Sequence, residues 1–469
     1  MNDKKEKKVK NPDDKVGFGK LLCWQSSPVS VALNTLLLAQ FSYYCSDVLG
    51  IDTVVVGTLL LISKLVDGVT DLIIGVIIDK TETKWGKGRP YEIFMLFLWA
   101  ATWALFSTPT SFPAVAKYAW IFIMYTFVNA VCKTCLNGNN TVYLVRAFKT
   151  RTQQIKATAY GSFFTMAGGF AFNIIFPQLM VKIGNNHAEW SKTVLLMGIP
   201  LTLIGLVRIL TIPEKYNKEA DVHSEQLKFK DVIQLFKNNK YVLAVCVIAF
   251  LYSLVTSLGV GTYYFKYILG NVGLMSVTSA FTVLGLPMAF ILPRWANKYG
   301  MAKTCMIAFF ISVAAGLVMF ALSGNFIAVL VTMLVVTLCS VPYNMMGAVF
   351  VMEMSDYNEY NNQPRMEGTI GAVKGLTEKI GSAFGAFVLG AMLKVAGYVT
   401  ATGDAVVTQP DSAINMIRFM ATLFPMIMYL LLAFLFKKTY ASLDEQKPMI
   451  QAELAKRREA AAAEAAAAN

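Results

Sequence analysis

Long apolar runs divided by short polar connections dominate this chain. Six occur at about Pro28–Leu49, Thr53–Ile78, Ile93–Ser111, Lys117–Val142, Ala157–Val181 and Val194–Ile212. A polar stretch, Pro213–Lys240, follows. Six further runs come at about Tyr241–Tyr267, Met275–Trp295, Lys303–Leu322, Phe326–Met352, Ile370–Leu393 and Ala413–Phe436. Each is close to the roughly 20 residues that a helix needs to cross hydrocarbon. Lipid offers the backbone no partners, so runs of this kind predict helices. The pattern therefore predicts an all-α membrane protein with twelve transmembrane helices in two six-helix halves. Its expected parts are an N-terminal segment (1–25), a first half (26–212), a central linker (213–240), a second half (241–438) and a tail (439–469).

Composition agrees. The 469 residues are 56% hydrophobic and only 15% charged, whereas a soluble domain carries about 25% charged residues. The net charge of +13 on a soluble chain would suggest nucleic acid, but here the bases lie between apolar runs, and the partner they imply is the bilayer surface. Roughly 32 Lys/Arg fall in the termini and even-numbered connections and about 5 in the odd-numbered ones. Both termini and the linker are thus expected on the cytoplasmic side of a multi-pass plasma-membrane protein. No cleavable signal peptide is read in the Lys-rich start, because the first apolar run is itself long enough to span. The tail from Gln446 to Asn469 reads as a solvated helix or a loose extension.

Enzyme chemistry finds little footing. The two histidines, His187 and His223, sit in polar connections, and no HExxH or GxSxG lies in a suitable context. Most of the 7 cysteines lie inside apolar runs, and the Cys132–Cys135 CxxC falls within a span, where it reads as packing. No metal site and no cofactor are expected, and the chain is expected to work as a monomer.

Charges within the spans carry the chemistry, since each costs at least about 2.5 kcal/mol at mid-bilayer. The second run holds Lys64, Asp67 and Asp71 on one helical stripe, with Gly68 and Gly75 on the same face. Two carboxylates one turn apart repel each other unless a cation neutralises them. Na⁺, H⁺ or the Lys64 ammonium would serve, the last as a purely structural Lys64–Asp67 pair. The fourth run places Thr126, Asn129 and Lys133 near one face, with a hydroxyl and an amide suited to Na⁺ or a sugar. The eleventh carries Lys374, Glu378 and Lys379 beside Gly371, Gly375, Gly381 and Gly385, a spacing for close helix packing. Lys374 and Glu378 form an i,i+4 pair. Together these seven charges sum to about +1, which points to an anionic substrate with Lys133 and Lys379 as counter-charges. The rival is Lys133 leaning on Asp67 or Asp71 in place of an ion, which would give an uncoupled facilitator.

After the second run comes Gly75-x-x-x-Asp79-Lys80-Thr81-Glu82-Thr83-Lys84-Trp85-Gly86-Lys87-Gly88-Arg89-Pro90. It is a tight basic turn in which Asp79 can pair with Arg89 or with a base on a neighbouring helix, a lock that gating would release. The string closely resembles the loop between helices II and III of the glycoside–pentoside–hexuronide:cation symporter family. Tyr43–Gly50, Thr262–Tyr267, Asp356–Glu359 and Arg365–Gly368 resemble further parts of that family.

The resemblance implies the major facilitator fold, alternating access and symport of a sugar or glycoside with a monovalent cation. It implies that Asp67 and Asp71 bind the cation, with Thr70, Thr126 and Asn129 beside them. It assigns Asn129, Lys133, Ser162 and Lys379 to the substrate, and Asp79, Lys87 and Arg89 to the gating loop. Several positions depart from a melibiose-transporting member: Thr70 replaces an Asn, Asn129 an Asp, Lys133 a Trp and Ser162 an Arg, and a sugar-binding Asp has no counterpart near Ser30–Val31. These departures argue against an α-galactoside and leave a hexuronide or other anionic glycoside as the expectation. A lysolipid carrier of the same fold and a transporter-like sensor are the alternatives.

Overall fold

The computed structural model describes residues 15–216, 235–236, 239–283, 295, 298–345, 347–364, 366–400 and 407–467. Among them the regular structure is helical, and ten helices are long and apolar enough to cross a membrane. The third expected run forms a short 3-10 turn, Arg89–Ile93, leading into the 13-residue helix Phe94–Phe106. The eighth is described through Leu274–Thr282, and residues 284–294 of that run lie outside the described residues. The same holds for most of the linker, 217–234. Large apolar side chains point outward along single helices, as at Leu196, Ile199, Leu203 and Leu210. Such a surface suits lipid and not water.

The chain groups into two compact units. One comprises the described parts of Met1–Ala39, Val69–Phe172 and Ala188–His223; the other comprises those of Gln40–Gly68, Asn173–His187 and Ser224–Asn469.

In the first unit a buried cation organises the packing. Arg208 is 1% exposed, its guanidinium 3.6 Å from the Trp24 ring centroid and 3.6 Å from Glu92 Oε1. It donates to Asn140 Oδ1 at 2.9 Å. A charge this deep persists only with a paired carboxylate and polar or aromatic neighbours. Leu21, Tyr143, Ala147, Phe148 and Ile212 close around the Trp24 ring.

In the second unit an aromatic cluster of Tyr252, Phe309, Tyr343, Phe350, Phe436 and Tyr440 forms the core. Beside it, helices Lys240–Thr256 and Glu367–Val395 meet backbone to backbone. A Cβ at Gly381 would overlap the Phe250 carbonyl, and one at Gly385 would overlap that of Leu254. Of the four glycines expected to pack closely, Gly381 and Gly385 make this helix contact, whereas a Cβ at Gly371 or Gly375 would have nothing within 4 Å.

The tail takes the helical one of its two expected forms, with a docked stripe that was not expected. Ala441–Ala467 is one helix, and its first turns are docked, with Leu443, Ile450 and Leu454 at 2–3% exposure. Asp444 caps the helix Met301–Ala321 by accepting from the Ala302 amide at 2.7 Å. Arg457 donates to the Glu359 and Tyr360 carbonyls and to Asn362 Oδ1, near the end of the helix Gly347–Tyr360. The sparse apolar residues of an Ala/Glu-rich segment were enough to form one buried stripe, so a loose extension is not what forms.

Candidate functional site

The helix Thr53–Asp79 carries the paired carboxylates. Asp67 Oδ2 lies 2.9 Å from the Lys379 ammonium, and both side chains are partly exposed. Lys64, which could have turned to Asp67, instead donates to the Ser382 hydroxyl at 2.7 Å and its carbonyl at 3.3 Å. Gly68 lies where a Cβ would press on Leu376, which lets the helix Glu367–Val395 come close enough for these two exchanges. One turn on, Asp71 Oδ1 accepts from the Thr134 hydroxyl at 2.9 Å.

The fourth run is not a continuous α-helix. Ala114–Thr126 and Thr134–Ala147 are α-helical, but Phe127–Lys133 between them is a π-helical turn. Bonds of the i→i+5 type widen the turn, so the 100° spacing that placed Thr126, Asn129 and Lys133 on one face does not carry through it. Thr126 and Asn129 are half-buried and Lys133 is buried, at 8% exposure. The Asn129 amide donates to the Tyr125 carbonyl at 2.9 Å, while the Asn129 carbonyl accepts from Thr134 at 3.2 Å. Thr70 is half-buried on the Asp67–Asp71 helix. Ser162 is exposed on the helix Arg151–Ile183 and donates back to the Thr158 carbonyl at 3.4 Å. Lys374 and Glu378 form their i,i+4 pair at 2.5 Å. Cys132 and Cys135 are buried thiols without a disulfide.

The basic loop is anchored by a residue that the motif does not contain. Glu214 accepts from three successive backbone amides, those of Lys87 (3.0 Å), Gly88 (2.8 Å) and Arg89 (2.6 Å). The Arg89 guanidinium donates to the Ile209 carbonyl, at 2.8 Å from Nε and 2.6 Å from Nη2. Both partners belong to the end of the helix His187–Thr211 and the residues just after it. The Asp79 side chain lies outside the described residues.

A second cluster joins two of the strings quoted above. Asp47, wholly buried, accepts from Lys266 (2.8 Å) and Tyr267 (2.5 Å) on Oδ1, and from Ser46 (2.7 Å) and Tyr398 (2.7 Å) on Oδ2. Lys266 also lies over the Tyr43 ring at 4.8 Å. Burial, and after it the Asp47 carboxylate, holds the Tyr398 hydroxyl far above the ordinary tyrosine range, so it remains a donor. Residues 43–50 and 262–267 thus share one carboxylate. The sequence signal was there, an Asp and a Lys each closing an aromatic string, but nothing in either string pointed to the other.

Residues 27–440 match the family model described as MFS/sugar transport protein. The isoprimeverose transporter of Lactiplantibacillus pentosus is 24% identical over 78% of this chain and 77% of its own. The glucuronide carrier protein homolog of Escherichia coli (strain K12) is 25% identical over 91% of this chain and 92% of its own. Among solved structures the nucleoside transporter NupG superposes with a TM-score of 0.62 at 16% identity, covering 89% of this chain and 99% of that one. At that identity the likeness establishes the fold.

Proposed function

Since the chain belongs to the MFS/sugar transport protein family, that of the glycoside–pentoside–hexuronide:cation symporters, it is a multi-pass membrane sugar symporter and not an enzyme, and we propose that Na⁺ or H⁺ drives an anionic glycoside through it. The observation that carries this reading is the Lys379–Asp67 pair. An ammonium already neutralises one of two carboxylates that stand a turn apart on one helix. A cation arriving at Asp67 and Asp71 displaces Lys379 and frees its charge for the acid group of the substrate. Each ligand then raises the affinity for the other by the same factor, a coupling of about 1–3 kcal/mol.

Other residues take roles beside that exchange. Thr70, Thr126 and Asn129 complete the cation's surroundings, and Lys133, Asn129 and Ser162 line the substrate path. Lys87 and Arg89, through their backbone amides on Glu214, hold the gating loop, in which Asp79 also lies. The twelve helices rock as two six-helix halves about this centre, with both termini cytoplasmic and one chain as the working unit. A relative named as a glucuronide carrier protein homolog supports the acidic class, and one named as an isoprimeverose transporter keeps neutral glycosides in the test.

A second reading draws on the same pair. If Lys379 stays on Asp67 throughout the cycle, it takes the place of the ion and the protein only equilibrates its sugar. A thermal-shift and uptake screen separates the two. Neutral and acidic glycosides are each tested with Na⁺, Li⁺ or K⁺ at two pH values. Symport predicts stabilisation by an acidic glycoside that grows with Na⁺ or with falling pH. Uptake indifferent to every cation, with no accumulation above the outside level, would leave the facilitator.

A further inference from the structure

The π-helical turn Phe127–Lys133 sets a backbone carbonyl and a hydroxyl beside Asp71. Thr134 is 3% exposed, and its Oγ1 lies 2.9 Å from Asp71 Oδ1 and 3.2 Å from the Asn129 carbonyl oxygen. A hydroxyl has one proton, so it can donate fully to only one of these acceptors at a time. Carboxylate, carbonyl and hydroxyl oxygens therefore converge around one buried side chain. Hard monovalent cations take such oxygens as ligands, as hard divalent ones do. An uninterrupted α-helix would commit the Asn129 carbonyl to its own i→i+4 ladder. The π turn moves its place in the ladder one residue on, to position 134, whose hydroxyl it also meets.

We infer that Thr134 is a ligand of the coupling cation, and that its hydroxyl and the Asn129 carbonyl, held by the π turn, make the Asp71 site selective for a metal cation over a proton. This rests on the symport reading above. When the ion binds, the Thr134 hydroxyl turns its lone pair to the cation and its proton to whichever acceptor the ion leaves less engaged.

Thr134→Val keeps the shape and removes the oxygen; Thr134→Ser keeps the oxygen. The full-length protein in proteoliposomes is titrated with Na⁺ and Li⁺ at fixed pH, and glycoside binding is measured at saturating cation. The Val protein is expected to need roughly tenfold more Na⁺ for half-maximal uptake, with substrate affinity at saturating Na⁺ unmoved and a larger share of uptake driven by a pH gradient. The Ser protein is expected to return to the wild-type Na⁺ response. A merely structural Thr134 would lower substrate binding and cation binding together, and Ser would not restore one alone. Should the Val protein not be recovered, Thr134→Ala is read in the same way. A cation-dependent wild type whose Val variant keeps the same Na⁺ requirement overturns the inference and leaves symport standing. A wild type driven by pH alone, indifferent to Na⁺ and Li⁺, also overturns it while symport stands. A wild type indifferent to every cation removes the symport reading itself.

Discussion

Lys379 and Asp67 face each other across two helices at 2.9 Å, while Lys64, on the same helix as Asp67, gives its protons to Ser382. Of two lysines within reach of one carboxylate, the one from the distant stretch of sequence has taken it. Both partners are partly exposed, as the proposed displacement of Lys379 by a cation requires.

Removing Lys379 should therefore separate cation binding from coupling. Lys379→Met leaves Asp67 without its resident ammonium, so Na⁺ is expected to bind more tightly in the absence of substrate. The mutual enhancement between cation and acidic glycoside, about 5- to 150-fold for a coupling of this class, should fall to none. Binding titrations of each ligand with and without the other measure both effects. An unchanged enhancement would show that Lys379 is a structural partner of Asp67 only.

Asp47 makes a different use of charge. Both its oxygens are occupied, by Lys266, Tyr267, Ser46 and Tyr398, and none of its surface reaches solvent. Asp47→Asn would turn an amide N–H₂ toward groups that can only donate or that already donate, and it would leave Lys266 without its counter-charge. A loss of about 2 kcal/mol or more is expected, read as a lower melting temperature in detergent. Lys266→Gln, which leaves three hydroxyl donors on the carboxylate, should cost less. Equal melting temperatures for Asp47→Asn and wild type would deny the cluster its role in holding residues 43–50 to 262–267 and Tyr398.

Much of this was legible beforehand because the bilayer imposes a simple rule. Apolar runs of spanning length had to be helices, and Asp67, Asp71 and Lys379 announced themselves by being charged inside them. Pairing was legible only where spacing dictates it, as for Lys374 and Glu378, which meet four residues apart. The Lys379–Asp67 pair joins residues 312 apart, and no periodicity reports such a distance. Thr134 stayed hidden for another reason. Its meeting with Asp71 lies at the end of a π turn, and a seven-residue break in helical register leaves no mark in an apolar pattern. For the tail the helical alternative was the right one, but its docked stripe was not legible, because an Ala/Glu-rich composition speaks for solvent while Ile450 and Leu454 act through their position.

That tail yields a graded prediction. Deleting residues from 458 onward leaves Leu443, Ile450, Leu454, Asp444 and Arg457 in place and should leave the melting temperature unchanged. Deleting from 441 onward exposes the surface that Leu443, Ile450 and Leu454 cover, each worth about 1.5–3 kcal/mol when fully buried. It also removes the Asp444 cap on the Ala302 amide. A clear loss of thermal stability is expected for the longer deletion. If both truncations melt alike, the tail does not brace the helices it touches.

The last relationship is a carboxylate held in a turn of backbone. Glu214 receives the amides of Lys87, Gly88 and Arg89, and Gly86, just before them, has a φ of +116° and lies so close that a Cβ there would overlap the Glu214 carboxylate. Glycine is required on both counts, backbone conformation and space. Gly86→Ala should therefore expel Glu214 as effectively as Glu214→Ala removes it. Each change alone is expected to cost about 1–3 kcal/mol, the price of unpartnered buried amides. The double variant should cost little more than either, because the second change destroys what the first has already broken. Thermal melts of the four proteins form the cycle, and the uptake rate follows the same pattern if the loop gates transport. Strict additivity of the two losses would mean that Gly86 serves the turn alone and that Glu214 does not depend on it.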